Sequence, residues 1–324
     1  MPVDRTAFIT TEPLQNVAFD YFLSDEELVA KKICTVVPFD KADKKVSQVD
    51  ASKLRLLDDE KGTSSEPNLA DEQIFSRSIT AKEYKLAADI NPRDVRDADV
   101  PGLLDEGRQT KVVTQRLMLQ AEKRFADLAM TSSNYMTSLT SALSSGSKWN
   151  EAGGSPEGDK ITVNDALRNT CGRGANALLL EWTTLQKLRL SPEWRSRTQY
   201  TNGGPIPDAL IKAFFEVEHL FVGSARYNSA VQGATASMTK MFGDDAVFFV
   251  HDPSTSMEAQ NSFLMAMVNS AFWVDVQIDP KKRGSAGYMK RVSVGTEYVF
   301  TPGMVESTSS SKLASAYLLR DVVA

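Results

Sequence analysis

A long charged stretch between residues 40 and 106 constrains this chain more than any other feature. It contains 11 Lys+Arg and 16 Asp+Glu but only two aromatic residues, Phe75 and Tyr84. A segment with so much charge and so little apolar surface cannot bury enough area to fold alone. It also accounts for the whole net charge of −5, because the rest of the chain contains 26 charged residues of each sign. We therefore expect a neighbouring element or a neighbouring chain to support this stretch.

A strand pattern runs through the second half of the stretch. Between Tyr84 and Ile90, larger apolar side chains alternate with Lys85, Ala87 and Asp89, which is typical of a half-buried β-strand. A turn-rich tip at residues 61–68 precedes this strand. We interpret residues 41–92 as an extended two-stranded β-hairpin, which would be marginally stable in isolation. A disordered acidic loop is the alternative interpretation.

Residues 1–40 are predicted to form an arm. Ser24 and Glu27 have the spacing of a capping box, which predicts a short helix that ends near Lys31. The apolar run from Ile33 to Val37 predicts a strand that stops at Pro38. The first residues show no basic segment followed by an apolar one, so we expect no secretion signal.

The clearest helix is predicted at residues 108–130, where strong helix formers are uninterrupted by Gly or Pro. Its apolar face contains Val113, Leu117, Met118, Ala121, Phe125, Leu128 and Ala129. A helix of this size is about 30 Å long, which suits a spine that lies under a sheet.

The next part of the chain, residues 161–250, alternates between helix and strand patterns and predicts a mixed α/β lobe. A connection rich in Ser, Thr and Gly, residues 131–160, leads into it. Helices are predicted from Thr162 to Gly172, at Leu185–Leu188, from Pro192, and at Leu210–Phe214, and strands at Ala177–Leu180, Leu220–Val222 and Ala246–Val250.

The C-terminal part of the chain is predicted to be mainly β-structure. Residues 272–278 and 288–298 alternate with a period of two around a turn at Pro280–Gly284, which indicates an antiparallel hairpin. The apolar stretch Leu313–Val323 predicts one further strand. These elements together predict the α+β class.

Residue types that carry catalysis or bind metals are scarce in this chain. Its two histidines, His219 and His251, lack a metal-ligand spacing to each other or to a cysteine, and we expect surface or turn roles for them. Cys34 and Cys171 form no CxxC motif and are predicted to be buried structural residues. The composition has no basic stripe for tight nucleic-acid binding and no apolar run of the roughly 20 residues that a membrane helix needs.

Three patterns imitate functional motifs without meeting their requirements. Gly153–Gly158 is followed by Asp159, where a phosphate-binding loop needs Lys and then Ser or Thr. Gly172–Ala177 resembles a dinucleotide fingerprint, but it follows a predicted helix and precedes a strand, which reverses the required order. The acidic run Asp58–Glu60 is typical of a solvated surface. We therefore predict no catalytic residue, no cofactor and no metal site, and a protein that is not an enzyme.

The order of these parts resembles the major capsid protein of tailed bacteriophages, which has the Hong Kong 97-type capsid fold. The resemblance is carried by residues 29–38, 174–180, 200–210, 215–230 and 242–246, and the common order extends it over essentially the whole chain. This sequence has Ala175 where the family often has Pro, and Phe242 where related sequences often have Trp.

The resemblance implies a role for each part of the chain. Residues 1–40 would be the N-terminal arm and residues 41–92 the extension loop. Residues 93–150 and 251–308 would form a peripheral domain with the spine helix 108–130, and residues 151–250 and 309–324 an axial domain. The implied function is self-assembly into hexamers and pentamers of an icosahedral shell that encloses viral double-stranded DNA, without sequence-specific DNA binding and without membrane contact.

The same resemblance implies partners and a location. Portal, scaffolding and decoration proteins would be partners, and a separate scaffolding protein is expected because the arm begins close to Met1. The protein would reside in the virion capsid after assembly in the host cytoplasm. Some families with this fold crosslink Lys to Asn, for which Lys61 and Asn68 would qualify by residue type alone.

Three other functions compete with this interpretation. An encapsulin-like compartment uses the same fold to enclose cargo proteins. An α/β enzyme with an acidic regulatory loop would require a catalytic constellation. A binding module, such as a decoration or adhesin protein, would remain monomeric.

Overall fold

Two β-sheets, each covered by helices, meet across a common apolar core. The computed structural model describes residues 28–49, 56, 60, 74–91, 106–198, 206–231, 233–252, 261–284, 287–307 and 310–324. Within these ranges no helix is both long enough and apolar enough to cross a membrane.

The first sheet has four strands and is built around one long hairpin. Strand β1 is Thr35–Phe39, β4 is Lys82–Ile90, β11 is Phe263–Gly284 and β12 is Gly287–Pro302. Their order is β1-β11-β12-β4, with β1 parallel to β11 and the other pairs antiparallel. A register shift separates Met267 from Phe272 in β11, where several residues stand opposite one residue of β12. Such a bulge bends the strand.

Helix α2, Glu106–Met130, lies against this sheet as the predicted spine. Its buried face includes Val113, Leu117 and Phe125, as the sequence pattern predicts. The ring of Phe125 meets the ring of Phe263 edge-on, with 5.4 Å between centroids, so the helix and β11 share one aromatic contact at the centre of the core. A short helix of the arm, α1 (Ala30–Ile33), also packs against α2.

The second sheet has five strands in the order β5-β15-β10-β6-β7. These are β5 (Thr140–Ala142), β6 (Ala177–Glu181), β7 (His219–Gly223), β10 (Ala246–Phe249) and β15 (Ala316–Arg320). Strand β6 is buried along its whole length, which explains its continuous apolar run. The helices in this part of the chain are α3 (Pro156–Cys171), α4 (Trp182–Leu188), α5 (Pro192–Thr198) and α6 (Asp208–Phe215).

Three two-stranded ribbons complete the part of the fold that the structure describes. Strand β2 (Asp43–Val49) pairs with β3 (Ile74–Thr80), β8 (Arg226–Asn228) with β9 (Met238–Lys240), and β13 (Val305–Ser307) with β14 (Ser310–Leu313). The first of these ribbons lies in the charged stretch and begins directly after β1.

Several element boundaries differ from the sequence predictions for identifiable reasons. Helix α3 begins at Pro156, not Thr162, because Ser155 caps it and Pro156 takes the favoured first position. Strand β1 continues through Pro38, which an edge strand tolerates. Strand β11 continues to Gly284, which pairs with Gly287, so the predicted turn residues 280–284 belong to the strand.

The described part of the arm also differs from the predicted helix that ends near Lys31. Leu28 and Val29 are not helical, Val29 is the N-cap, and the helix runs to Ile33. The capping-box residues Ser24 and Glu27 lie outside the described residues.

Gly295 provides a stability test of the first sheet. It pairs with Trp273 across the hairpin, and a Cβ on Gly295 would lie 2.5 Å from Nε1 of that indole. We expect Gly295→Ala to lower the free energy of unfolding by about 1–3 kcal/mol, because the indole must move from its packed position. The control is Gly243→Ala, whose Cβ would meet only Asp245 at 3.9 Å. Equal denaturant midpoints for the two variants would contradict this role for Gly295.

Candidate assembly surfaces

The β2–β3 ribbon has no strand partner on either outer edge among the described residues. Its strands pair only with each other, from Asp43 opposite Thr80 to Val49 opposite Ile74. The described side chains near its root are alternately exposed, including Asp43, Lys45 and Ser78. Unpaired backbone edges readily accept another chain. The structure thus shows an antiparallel β-ribbon in the charged stretch, while most of residues 50–73 lie outside the described part.

The returning strand of this hairpin is β3 and not the Tyr84–Ile90 segment. That segment does form the predicted half-buried strand, β4, but it pairs with β12 in the first sheet. Arg291 of β12 holds Asp89 of β4 through two hydrogen bonds of 2.6 and 3.0 Å. Along the chain, the ribbon therefore lies between two strands of the first sheet, with β1 before it and β4 after it.

The root of the ribbon is attached to the first sheet by one arginine and one small apolar cluster. Arg77 donates hydrogen bonds from Nη2 to Thr301 Oγ1 at 2.9 Å and to the Pro302 carbonyl at 2.6 Å. Burial lowers the pKa of this guanidinium, which stays charged because its ordinary pKa is so high. Ile79 is buried against Phe39 and Leu264. The root is thus fixed, and the ribbon can project in a defined direction.

A buried carboxylate holds the arm on the spine helix. Glu122 is 1% exposed, and its two oxygens accept hydrogen bonds from the backbone N–H groups of Val29 and Ala30 at 3.0 and 2.9 Å. These groups start helix α1, where backbone donors lack partners within the helix. The carboxylate therefore acts as a cap supplied by α2, some ninety residues later in the chain.

Large apolar side chains are exposed on the helical layer of the second sheet. Ile161, Trp182 and Leu190 are 66%, 50% and 53% exposed, on or directly beside helices α3 and α4. Val231 and Met238, at the β8–β9 ribbon, are 81% and 60% exposed. Exposed apolar groups of this size are typical of protein contact surfaces when they lie close together.

The structure brings the two histidines together, which their sequence positions did not predict. His219 starts β7 and His251 follows β10, and their ring centroids are 5.0 Å apart. Each ring is partly buried at the end of a strand, and only the proximity of the two rings was not expected from their surface or turn positions.

The remaining sequence candidates have structural roles where they are described. Gly172 has φ of 73° and ends helix α3, so the fingerprint-like Gly172–Ala177 is a helix-ending turn that leads into strand β6 at Ala177. Gly153 and Gly154 lie in a turn where a Cβ would collide with backbone atoms. Lys61, Asn68 and the residues Asp58 and Asp59 lie outside the described part of the chain. Within that part, no group of three His, Cys, Asp or Glu is arranged to hold a metal ion.

Cys34 and Cys171 are both free and buried, as predicted. Burial raises the pKa of each thiol, and the negative charge of Glu122 raises that of Cys34 further. Because the thiolate is the reactive form, we expect both thiols to react with Ellman's reagent at pH 8 at least about a hundredfold more slowly than a free thiol. Denaturant should release two reactive thiols per chain. Rapid reaction of the native protein would contradict this burial.

The chain is similar in sequence to two curated phage proteins, whereas no family model matches it. The major capsid protein of Burkholderia phage BcepMu is 26% identical over 215 residues, which cover 66% of this chain and 68% of the relative. The major capsid protein of Pseudomonas phage JBD67 is 25% identical over 193 residues, 59% of this chain and 61% of the relative.

Solved structures match nearly the whole chain. A phage-related protein from Bordetella bronchiseptica has a TM-score of 0.70 at 21% identity, covering 96% of this chain and 97% of the other. A chain of Mycobacterium phage Cain has a TM-score of 0.54 at 12% identity, covering 91% of both. The chain has the Hong Kong 97-type capsid fold. This capsid fold confirms the predicted class, and the chain resembles the two phage major capsid proteins in sequence as well. A virus-like particle from Pyrococcus furiosus is also similar, with a TM-score of 0.51 at 13% identity, covering 95% of this chain and 98% of the other.

Proposed function

We propose that this chain is the major capsid protein of a tailed phage and assembles into hexamers and pentamers of an icosahedral shell. The observation that carries the proposal is the β2–β3 ribbon, which has a fixed root and two unpaired edges in the described residues. A two-stranded ribbon is marginally stable in water. A second copy of the chain, lying beneath the ribbon, would supply the missing support.

The geometry of the attachment favours contacts between different surfaces of identical copies. The ribbon leaves the first sheet, whereas the exposed apolar residues Trp182 and Leu190 belong to the helical layer of the second. Contacts between two different surfaces produce rings when the rotation closes, and rings can tile a shell. We expect each subunit to bury several thousand Å² in total, as obligate assemblies do.

The proposed division of the chain follows the two sheets. Residues 93–150 and 251–308 would form the peripheral domain around helix α2, and residues 151–250 and 309–324 the axial domain. Supporting this division, β11 and β12 lie in the first sheet, while β6, β7, β10 and β15 lie in the second. Strand β5 (Thr140–Ala142) pairs with β15 of the second sheet. By sheet membership, the boundary between the peripheral and axial domains therefore lies closer to residue 139 than to residue 150.

The interior of the proposed shell would hold double-stranded DNA without reading its sequence. A net charge of −5 and the absence of a basic stripe in the sequence favour weak contacts with DNA. The portal, scaffolding and decoration proteins, and assembly in the host cytoplasm, belong to the same proposal. The chain would have no catalytic role.

Electron microscopy of the purified protein, expressed alone and with its phage's other structural genes, tests the proposal. We expect closed particles of uniform size built from six-fold and five-fold clusters. Light scattering that finds only monomers at all concentrations, with the other structural proteins present, would contradict the shell function and favour a binding module.

The second candidate function is a protein compartment, which the similarity to the Pyrococcus virus-like particle favours. The contents of the particles distinguish such a compartment from a phage capsid. Nuclease-protected DNA of phage length inside particles from infected cells supports the phage capsid. Particles that instead contain one protein at a constant ratio support the compartment.

A further inference from the structure

We propose that a pocket between the arm, helix α2 and the first sheet binds a small neutral alcohol, and that the bound molecule holds the arm on α2. This arm pocket opens to solvent and is lined mainly by apolar side chains, among them Leu28, Ala30, Ala121, Met265 and Phe272. Its lining also includes the hydroxyl-bearing residue Thr296. The inference stands on this pocket and does not depend on the proposed shell function.

The arm pocket exists because the elements around it do not fit closely at one point. Met265 and Phe272 line it from the two sides of the register shift in β11, where the strand leaves its regular pairing with β12. The facing helices contribute the small side chains of Ala30 and Ala121, which leave the gap unfilled. The enclosed space is about 30 Å³, and about 400 Å³ with the open mouth. By the room that one water needs, the enclosed part can take the hydroxyl end of a small molecule, whose alkyl tail would lie in the mouth.

One buried hydroxyl in the arm pocket indicates what the ligand must offer. Thr296 stands between Val294 and Tyr298 on the face of β12 that packs into the core, and it is only 2% exposed. Its Oγ1 forms no hydrogen bond within the described part of the chain. A buried hydroxyl without a partner is costly, whereas a valine of the same shape would pack there without that cost. Because a threonine hydroxyl can both donate and accept, the hydroxyl of an alcohol is a matching partner.

The other polar groups that line the arm pocket favour an uncharged ligand. Both oxygens of Glu122 already accept from backbone N–H groups of the arm, and their negative charge disfavours an anion. The partly exposed Lys31 disfavours a cation in the same way. The Tyr298 hydroxyl already accepts a hydrogen bond from Arg124 Nη1 at 2.8 Å. The hydroxyl of Thr296 is therefore the group that a ligand would bind.

A ligand in the arm pocket would connect the arm to the rest of the subunit. It would touch Leu28 and Ala30 of the arm, Ala121 of α2 and Thr296 of β12 at the same time. A molecule that binds only when these parts are together stabilises the state in which they are together. We therefore expect ligand binding and attachment of the arm to strengthen each other.

Saturation-transfer difference NMR with 1-butanol, 1-pentanol and 1-hexanol tests this inference on the full chain, because the method works for free subunits and for large assemblies. The affinity of the wild type should rise about fourfold with each methylene group that leaves water. Thr296→Val removes the hydroxyl but keeps the shape of the side chain, so it should weaken binding about fivefold to tenfold. Thr296→Ser keeps the hydroxyl and should bind like the wild type.

Two further variants test the place of binding. Ala121→Met fills the arm pocket and should abolish saturable binding. Gln115→Met adds the same side chain on the exposed face of α2 and should leave binding unchanged. Hydrogen exchange then tests the effect on the arm. With 1-hexanol at about five times its Kd, the amides of residues 29–34 should exchange about sixfold more slowly in the wild type, because opening of the pocket releases the ligand. Those of Ala121→Met should not respond.

Each result either supports or overturns the inference. Because Thr296→Val removes only an unpaired hydroxyl, we expect this variant to fold, and its affinity remains informative if Ala121→Met does not fold. Absence of saturable binding to the wild type would overturn the inference. So would a Thr296→Val variant that binds as tightly as the wild type, since the hydroxyl would then play no part. Saturable binding without slower exchange in residues 29–34 would overturn the coupling to the arm.

Discussion

Replacement of residues 47–76 by an Asn-Gly turn is expected to abolish closed shells and leave a folded subunit. The two cut ends, Val46 and Arg77, are register partners across the ribbon, so a two-residue turn can join them. The variant keeps the hydrogen bonds of Arg77 to Thr301 and Pro302 and the buried contact of Ile79. It removes only the part of the ribbon that has no described support within its own chain.

The physical reason for this expectation is the distribution of contacts. Among the described residues, the removed strand residues pair only with each other, so their loss should change the free energy of unfolding of the monomer by less than about 1 kcal/mol. In a shell, the same residues would form part of an obligate interface, whose loss cannot be compensated elsewhere. Size-exclusion chromatography, electron microscopy and thermal melting measure the two effects separately.

The outcomes show whether the ribbon is an assembly element. A variant that melts like unassembled wild-type subunits but stays as free subunits or small oligomers supports the ribbon as an assembly element. Normal closed particles would show that the ribbon is dispensable and would contradict its proposed role. A variant that melts much earlier than unassembled wild-type subunits would show that the ribbon supports its own subunit, which also contradicts that role.

Strong periodic patterns made the main elements of this fold predictable from sequence. Helix α2 and the β11–β12 hairpin were predicted because their apolar side chains repeat with the period of a helix or of a strand over many residues. Helix α3 was placed six residues too late, although Ser155 followed by Pro156 is itself a helix-start signal. Gly153, Gly154 and Gly158 around this signal made the segment look like a loop.

Pairing between distant elements was not predictable, because nothing local encodes it. Strand β4 was recognised as a half-buried strand, yet its partner β12 lies two hundred residues later. The proximity of His219 and His251 was unpredictable for the same reason. His219 and Phe249 both pair with Ala177 of β6, from opposite sides, so the sheet order alone brings His251 beside His219.

Glu122 is a residue that the sequence could have indicated. It lies on the apolar face of α2, three residues before Phe125 and four after Met118, where a carboxylate is costly unless it is paired. The signal was a polar residue in the middle of a buried stripe. Its partner, the start of helix α1, could not be inferred, because the predicted arm helix began at Ser24.

Loss of the Glu122 carboxylate is therefore expected to detach the arm and destabilise the subunit. Glu122→Gln keeps the size of the side chain but replaces one acceptor oxygen with an NH2 group, which would face a backbone N–H donor. One of the two N–H groups of Val29 and Ala30 then loses its partner inside the core. Hydrogen bonds to a buried charged group contribute about 1.5–3 kcal/mol each, so we expect a loss of about 2–4 kcal/mol in the free energy of unfolding.

The matched control is Asp127→Asn, which makes the same change of charge on the same helix. Asp127 has a side chain 60% exposed and forms a surface ion pair with Lys123, which is worth at most about 1 kcal/mol. Urea denaturation gives the two free energies, and hydrogen exchange of residues 29–34 reports the attachment of the arm. Because the carboxylate caps helix α1 directly, the Glu122→Gln variant should lose protection there, whereas Asp127→Asn should not. Equal stabilities and equal arm protection in the two variants would show that the arm is held by its apolar contacts, chiefly those of Ile33, and that the buried carboxylate is not the clamp.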